Sequence, residues 1–428
     1  MRQGVRSTRK PPAISRHQKA PVMTSPSTLV PRNPWIVLFC AATIVTIAMG
    51  IRQSSGLFLR PIELDIGVGR EAFGLAIAIQ NLILGLAQPV VGALADRYGA
   101  GRIAALGGLL YAIALVLASM IAGAVGLNLT LGFMVGFAMT GVTFVVAIGA
   151  AVRAVPPERR GLATGIVTAG GSFGQFLLVP FSQALIESFG WRDALLIQAG
   201  LAAMLVPLAI GIAGRPKAPE AANIPVQSFG EALREASGHS GFWLLTAGFF
   251  VCGFHVTFIG THLPAFLSDR GLDPAVGARA LALVGLFNIF GSYVFGIMAD
   301  RWRKKKVLAG IYFARALVMA VFLSVPFTPL SATLFACAIG FLWLGTVPLT
   351  SGLVAQIFGV RYISMLFGTV FLAHQVGAFL GAWGAGYVFA MTGSYDIVWQ
   401  ISIGVAILAA LIHLPIRDAP IARLEGAR

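Results

Sequence analysis

Gly92-Ala-Leu-Ala-Asp96-Arg97-Tyr-Gly99-Ala-Gly-Arg102 joins two apolar runs, 72–95 and 101–122. Each run is long enough to cross a bilayer as a helix, which takes about 20 residues. A partial copy, Gly296-Ile-Met-Ala-Asp300-Arg301, closes another apolar run 204 residues later. Gly165 and Gly174 match Gly368 and Gly377 at an offset of 203, and Gly190 and Asp193 match Gly393 and Asp396 at the same offset. The chain therefore reads as two parallel halves. A repeat of this kind builds a substrate site where the halves meet.

The composition agrees. Of 428 residues, 57% are apolar and 11% charged, against about 25% charged in soluble domains. The mean hydropathy is +0.85. A water-soluble globule needs a polar skin, and a disordered chain needs a low apolar content. The net charge of +15 does not indicate nucleic acid, because the basic residues are dispersed among short loops. Cys40, Cys252 and Cys337 lie inside apolar runs with no metal or disulfide spacing.

Twelve spans are expected near 35–60, 72–95, 101–122, 125–152, 160–187, 192–213, 241–268, 277–299, 306–324, 329–358, 362–391 and 396–415. The fold class is all-α: a polytopic membrane protein with 12 transmembrane helices in two pseudo-repeated six-helix bundles, 34–213 and 241–416. Residues 1–33, with seven Lys/Arg and no acid, form a disordered basic tail. The run from Trp35 is too long for the core of a cleavable signal peptide, and the sequence leaves open whether Met1 or Met23 starts the protein. Residues 214–240 form a linker, and 417–428 a second tail. Loops on the side of the termini hold 24 Lys/Arg against five on the other side (Arg60, Arg70, Arg192, Arg270, Arg279). That excess places both termini in the cytoplasm of a bacterial-type inner membrane.

The Gly92-x-x-x-Asp96-Arg97-x-Gly99-x-x-Arg102 stretch resembles the signature of the major facilitator superfamily, and the resemblance covers residues 34–416. Arg159-Arg160-Gly161-x-Ala163-x-Gly165, with Gly170-Gly171-x-x-Gly174-Gln175, resembles the monocarboxylate and oxalate–formate branches. The small residues of that stretch read as a helix-packing seam. Gly92, Asp96, Arg97, Gly99 and Arg102, with Arg153, Asp300 and Arg301, form a candidate cytoplasmic gate; the plainer reading is a loop that sets topology.

Arg52 carries the most information. It lies about 17 residues beyond Trp35, roughly 25 Å along the first span. All 16 acids fall in loops or at helix ends, so Arg52 has no evident internal counter-ion. A buried guanidinium faces a cavity or a partner, and an anionic substrate would supply one. The plainer reading is snorkelling to the outer interface. Monocarboxylate transporters, by resemblance, carry a cation at about this place in span one. They also carry an acidic–basic pair in span eight, where this sequence has Asn288, Ser292 and Tyr293. His255, His262 and His374 are the side chains able to carry a coupling proton near neutral pH, or else are interior imidazoles. Gln53, Gln80, Asn81, Gln175, Asn288 and Gln375 are amides that bond a substrate or join helices. Arg315 is expected to reach a structural partner, and Trp343 to pack.

The sequence therefore predicts a monomeric secondary transporter of a small organic anion, a mono- or dicarboxylate. Arg52, Gln53, Gln80, Asn81, Gln175, His255, Asn288, His374 and Gln375 are its candidate substrate-binding residues. Its partners are the anion, the bilayer and a coupling proton or counter-anion; no metal or cofactor is expected. The alternatives are a nitrate-type inorganic anion transporter, a drug or metabolite exporter and a non-transporting sensor. An enzyme is not expected, since no nucleophile–base pair or metal cluster is present.

Overall fold

In a computed structural model of the chain, every regular element among the described residues is helical. Besides Met1, the structure describes residues 33–156, 159–213, 229–359 and 363–421. The first half begins with α1 (Pro34–Gln53), continued by a 3-10 turn into α2 (Leu59–Ile66), then α3 (Arg70–Tyr98) and α4 (Ala100–Ser119). The fourth span is built in pieces: α5 (Ala124–Leu127), a π turn, α6 (Val135–Thr140) and α7 (Phe144–Ala154). Next come α8 (Arg160–Ala203) and α9 (Leu205–Gly211). α10 (Phe229–Ser237) precedes the second half: α11 (Ser240–Asp269), α12 (Pro274–Arg301), α13 (Lys304–Ser324), α14 (Pro329–Phe341), α15 (Thr346–Phe358), α16 (Ile363–Phe379), a π turn, α17 (Ala385–Thr392) and α18 (Asp396–His413).

Among the described residues, eleven helical stretches are long and apolar enough to cross a membrane. One of them, Ala163–Gly211, has 49 residues, twice what a bilayer needs. Gly190 breaks it with φ 79°, a backbone conformation that costs little only without a Cβ. Divided there, the spans number twelve. Gly393 ends α17 with φ 70°, so the two glycines 203 positions apart play one structural role. Of the expected tails and linker, residues 2–32, 214–228 and 422–428 lie outside the described residues.

Lipid offers helices little hydrophobic reason to associate, so close packing through small residues matters more. A Cβ on Gly174 would sit 2.1 Å from the Thr46 carbonyl oxygen of α1, and one on Gly377 would sit 2.0 Å from the Phe250 oxygen of α11. The glycine stretch of span five is thus a seam against α1, where the Thr46 hydroxyl donates to Gly170 O at 3.0 Å. Its repeat partner seals α16 onto α11.

The expected spans four and ten are not continuous helices. Span ten opens between Phe341 and Thr346, which frees carbonyls that lipid cannot satisfy. Arg315 supplies the donors: its Nη2 lies 2.7 Å from Leu342 O, its Nε 3.2 Å, and Nη2 also donates to Trp343 O. This fully buried guanidinium is a helix cap within the second bundle, the structural partner role expected of it. Trp343 is 2% exposed within the apolar core.

Candidate functional site

α3 runs antiparallel to α16 and α17 across the two halves, and α8 runs antiparallel to α12. On the side away from the termini the contacts are tight. A Cβ on Gly74 would meet Ala382 O at 2.4 Å, one on Gly386 would meet Arg70 O at 2.4 Å, and one on Gly56 would meet Gly260 O at 2.4 Å. The contacts continue to Gly85, which abuts Gln375, and to Gly285, which abuts Gln175. Beyond that level the halves part. Ideal Cβ atoms on Gly165, Gly296 and Gly368 would have nothing within 4 Å, and Gly92 touches only Val145 of its own half. On the terminus side, the hydrogen bonds seen between the halves end at Asn288–Ser172 and Gln375–Asn81. The cleft between them opens toward the side where Arg303 and Lys305 bind Asp418 of the C-terminal segment.

Arg52 lies at the apex of this cleft. Its Nη2 donates to Oδ1 of Asn81 on α3. The Asn81 Nδ2 donates to Ile77 O of its own helix at 2.8 Å, which fixes the amide with its oxygen toward the guanidinium. Among the described residues no carboxylate pairs with Arg52. A void of about 10 Å³ lies within the first half among Ser55, Gln80, Tyr111 and Gln198; that is about the room of one water.

The amides extend from this point. Gln375 Nε2 donates to the Asn81 backbone oxygen at 2.8 Å, and its Oε1 faces His374 Nδ1 at 3.0 Å. Gln53 Nε2 donates to Gln175 Oε1 at 3.2 Å, and Gln175 Nε2 reaches Leu281 O of α12 at 2.9 Å. Asn288 Nδ2 donates to the Ser172 hydroxyl at 2.9 Å, while its oxygen accepts from Leu344 N at 3.0 Å. The structure thus brings Arg52, Asn81, Gln375 and His374 into one connected set, with Gln53, Gln175 and Asn288 along the same interface.

Three candidates lie elsewhere. Gln80 donates to Leu131 O within the first half at 3.1 Å, a helix-joining bond. His255 bonds Ser402 O of α18 at 2.9 Å inside the second half. His262 has both nitrogens engaged, by the Tyr395 hydroxyl at 2.9 Å and Ala382 O at 2.7 Å. An open groove of about 630 Å³ between α1, α8 and α12 includes Phe39, Thr43, Phe173 and Ile289. Its lining is almost all hydrocarbon and excludes Arg52, so it is no place for an anion.

The candidate gate is partly described. Gly99 ends α3 with φ 95°. Arg97 is exposed beside the Tyr98 ring, 5.4 Å from its centroid; Arg102 and Arg301 are exposed. The Arg153 guanidinium lies over Gly149 of its own helix. The side chains of Asp96 and Asp300 lie outside the described residues, and with them any pairing of the latch.

A different charged cluster closes the far side, and sequence reading missed it. Arg70 is 6% exposed. Its Nε meets both Glu63 oxygens at 3.0 Å. Its Nη2 reaches Asp269 of α11 at 2.8 Å, and its Nη1 pairs with the same carboxylate. Arg60 joins Asp269 at 2.7 Å. The Arg70 guanidinium also stacks 4.0 Å from the centroid of Phe389. Arg70 and Asp269 stand 199 positions apart at the ends of two helices, so only their charge at the span ends hinted at them.

The major facilitator superfamily model matches residues 34–382. The chain belongs to the major facilitator superfamily. Among similar superfamily proteins, the uncharacterized MFS-type transporter YcxA of Bacillus subtilis is 25% identical, covering 90% of this chain and 95% of its own. Human monocarboxylate transporter 11 is 28% identical over 89% and 82% of the two chains. The oxalate:formate antiporter of Oxalobacter formigenes is 23% identical over 94% and 96%. An inward-facing, unoccupied bacterial homologue of the lysosomal transporter Spinster has the same superfamily fold, with a TM-score of 0.70 at 16% identity over 90% of this chain and 96% of that one.

Proposed function

We propose that this transporter carries a small organic anion, a mono- or dicarboxylate, by alternating access, with Arg52 as the anchor of the anion. The observation that carries the proposal is the Arg52–Asn81 bond at the cleft apex. A guanidinium held there by a neutral amide keeps its charge uncompensated, and a carboxylate fits its fork bidentately. The monocarboxylate and oxalate:formate relatives support the same substrate class at low identity. The asymmetry of Lys/Arg between the two sides supports cytoplasmic termini in an inner membrane, and with that orientation the side on which the halves part is the inward one. Closing the cleft and releasing the Arg70–Asp269 cluster would give the opposite state.

The test is uptake of labelled oxalate, formate, lactate and nitrate by proteoliposomes holding the wild type or Arg52→Gln. Carboxylate uptake that falls at least tenfold in the variant is expected. Undiminished uptake would remove Arg52 from the mechanism, and nitrate taken up in preference to every carboxylate would move the substrate to inorganic anions.

A further inference from the structure

We propose that the imidazole of His374 binds the proton that accompanies the anion through the membrane. The inference rests on the anion reading above and names the coupling site within it.

The hydrogen bonds assign the ring's tautomer. Gln375 Nε2 donates to the Asn81 backbone oxygen at 2.8 Å, so the Oε1 of Gln375 is what faces His374 Nδ1 at 3.0 Å. An amide oxygen only accepts, and Nδ1 therefore carries the hydrogen. The neutral ring keeps its lone pair at Nε2, where a second proton binds. That proton makes the ring a cation.

The surroundings decide when the cation is tolerated. From α11, Phe249 faces the ring with its centroid 5.0 Å away, and Cys252 lies nearby. Phe371 of its own helix stacks on it at 5.3 Å. Behind Cys252 lie Thr346 of α15, at 3.2 Å from the sulfur, and Arg315 of α13, at 3.8 Å. From α3 comes Asn81, and behind it Arg52 of α1. Among the described residues no carboxylate is present. In the empty carrier a charged ring would stand between two guanidiniums. An anion on Arg52 supplies the missing negative charge, so anion and proton favour each other's binding. With a monoanion, the loaded and empty carriers then hold the same charge.

The other histidines are less suited. His255 donates from Nε2 to Ser402 O and is enclosed within the second half. His262 has both nitrogens bonded, and His413 bonds Ala409 O on its own helix. The matching glutamine of the first half, Gln175, accepts from the amide of Gln53, which does not titrate. His374 is the titratable member of this pair of contacts.

The experiment compares wild type, His374→Gln and His374→Asn in proteoliposomes, using labelled oxalate and lactate, with two readouts. Exchange against internal unlabelled anion reports binding and reorientation. Accumulation under an inside-alkaline gradient reports coupling, and one coupled proton changes the accumulation ratio about tenfold per pH unit. The wild type is expected to exchange and to accumulate with the gradient. The variants are expected to lose the gradient response in whatever exchange they retain. A wild type that exchanges without responding to the gradient overturns the proposal, and so does either variant that keeps the response. Should neither variant exchange, proton uptake on oxalate binding to the wild type, read by calorimetry in two buffers of different ionisation enthalpy, decides it: none taken up overturns it. A wild type that exchanges neither anion refutes the substrate reading instead.

Discussion

Gln175 and Gln375 make the same hydrogen bond on the two sides of the bundle interface: one to the carbonyl of residue 281 at 2.9 Å, the other to that of residue 81 at 2.8 Å. Donor and acceptor are both displaced by 200 positions, and each glutamine packs on a glycine, Gly285 or Gly85. That displacement falls about one helical turn short of the 203–204 of the internal repeat, so the two contacts are alike without occupying equivalent repeat positions. Both bonds lie at the cleft apex, where a rocking motion moves atoms least.

Replacing Gln175 with Leu should then cost about 1 kcal/mol of bundle association, the scale of one interhelical hydrogen bond in a membrane. Exchange should slow several-fold while anion affinity holds. Gln375→Leu should slow exchange and weaken binding as well, because Gln375 also buttresses Asn81. Equal effects of the two variants on affinity would contradict the asymmetry.

The far-side cluster predicts a shift in conformational population. Asp269 is shared by Arg70 and Arg60, and Asp269→Asn leaves Arg70 with Glu63 alone. The loss of a partly exposed pair is worth about 1–3 kcal/mol, enough to change a population ratio several-fold or more. Spin labels at the exposed Leu64 and Met391 (74% and 70%) should show a longer distance gaining weight in the variant. An unchanged distribution would contradict a gating role.

Arg315 and Arg52 are both intramembrane guanidiniums with opposite expected consequences. Arg315→Met strands the carbonyls of Leu342 and Trp343, a loss on the order of 3 kcal/mol. It should lower the thermal unfolding temperature and leave oxalate affinity nearly intact. Arg52→Gln should do the reverse.

A pH effect is expected at the C-terminal segment. The hydrogen bond from Arg303 holds the Asp418 carboxyl below its ordinary range. The docking this provides is complete above the ordinary carboxylate value of 3.8 and fades as pH falls through the lowered one. Hydrogen exchange at Ile421, whose amide bonds Ile357 O at 3.0 Å, should stay slow from neutral pH to about 4 once corrected for intrinsic rates. Release well above pH 4 would contradict it.

The spans and their repeat were legible because apolar length and glycine spacing are properties of contiguous sequence. Gly190 and Gly393 could be paired from sequence for that reason. The break at 342–345 was not legible, since its carbonyls are satisfied by Arg315, a residue from another span. Nor was the Arg70–Asp269 contact, which depends on how two distant helices meet. Arg52 was visible as a charge out of place. That Asn81 would hold it, while Gln80 turned to Leu131, depends on one helical position, finer than hydropathy resolves.

The most direct measurement is calorimetric titration of oxalate and lactate into the purified protein, comparing wild type, Arg52→Lys and Arg52→Gln. A charge-assisted bidentate contact is worth about 1.5–3 kcal/mol. Arg52→Gln should therefore bind roughly ten- to a hundredfold more weakly than the wild type, with Arg52→Lys between them. Equal affinity in all three would contradict the claim that this guanidinium is where the anion binds.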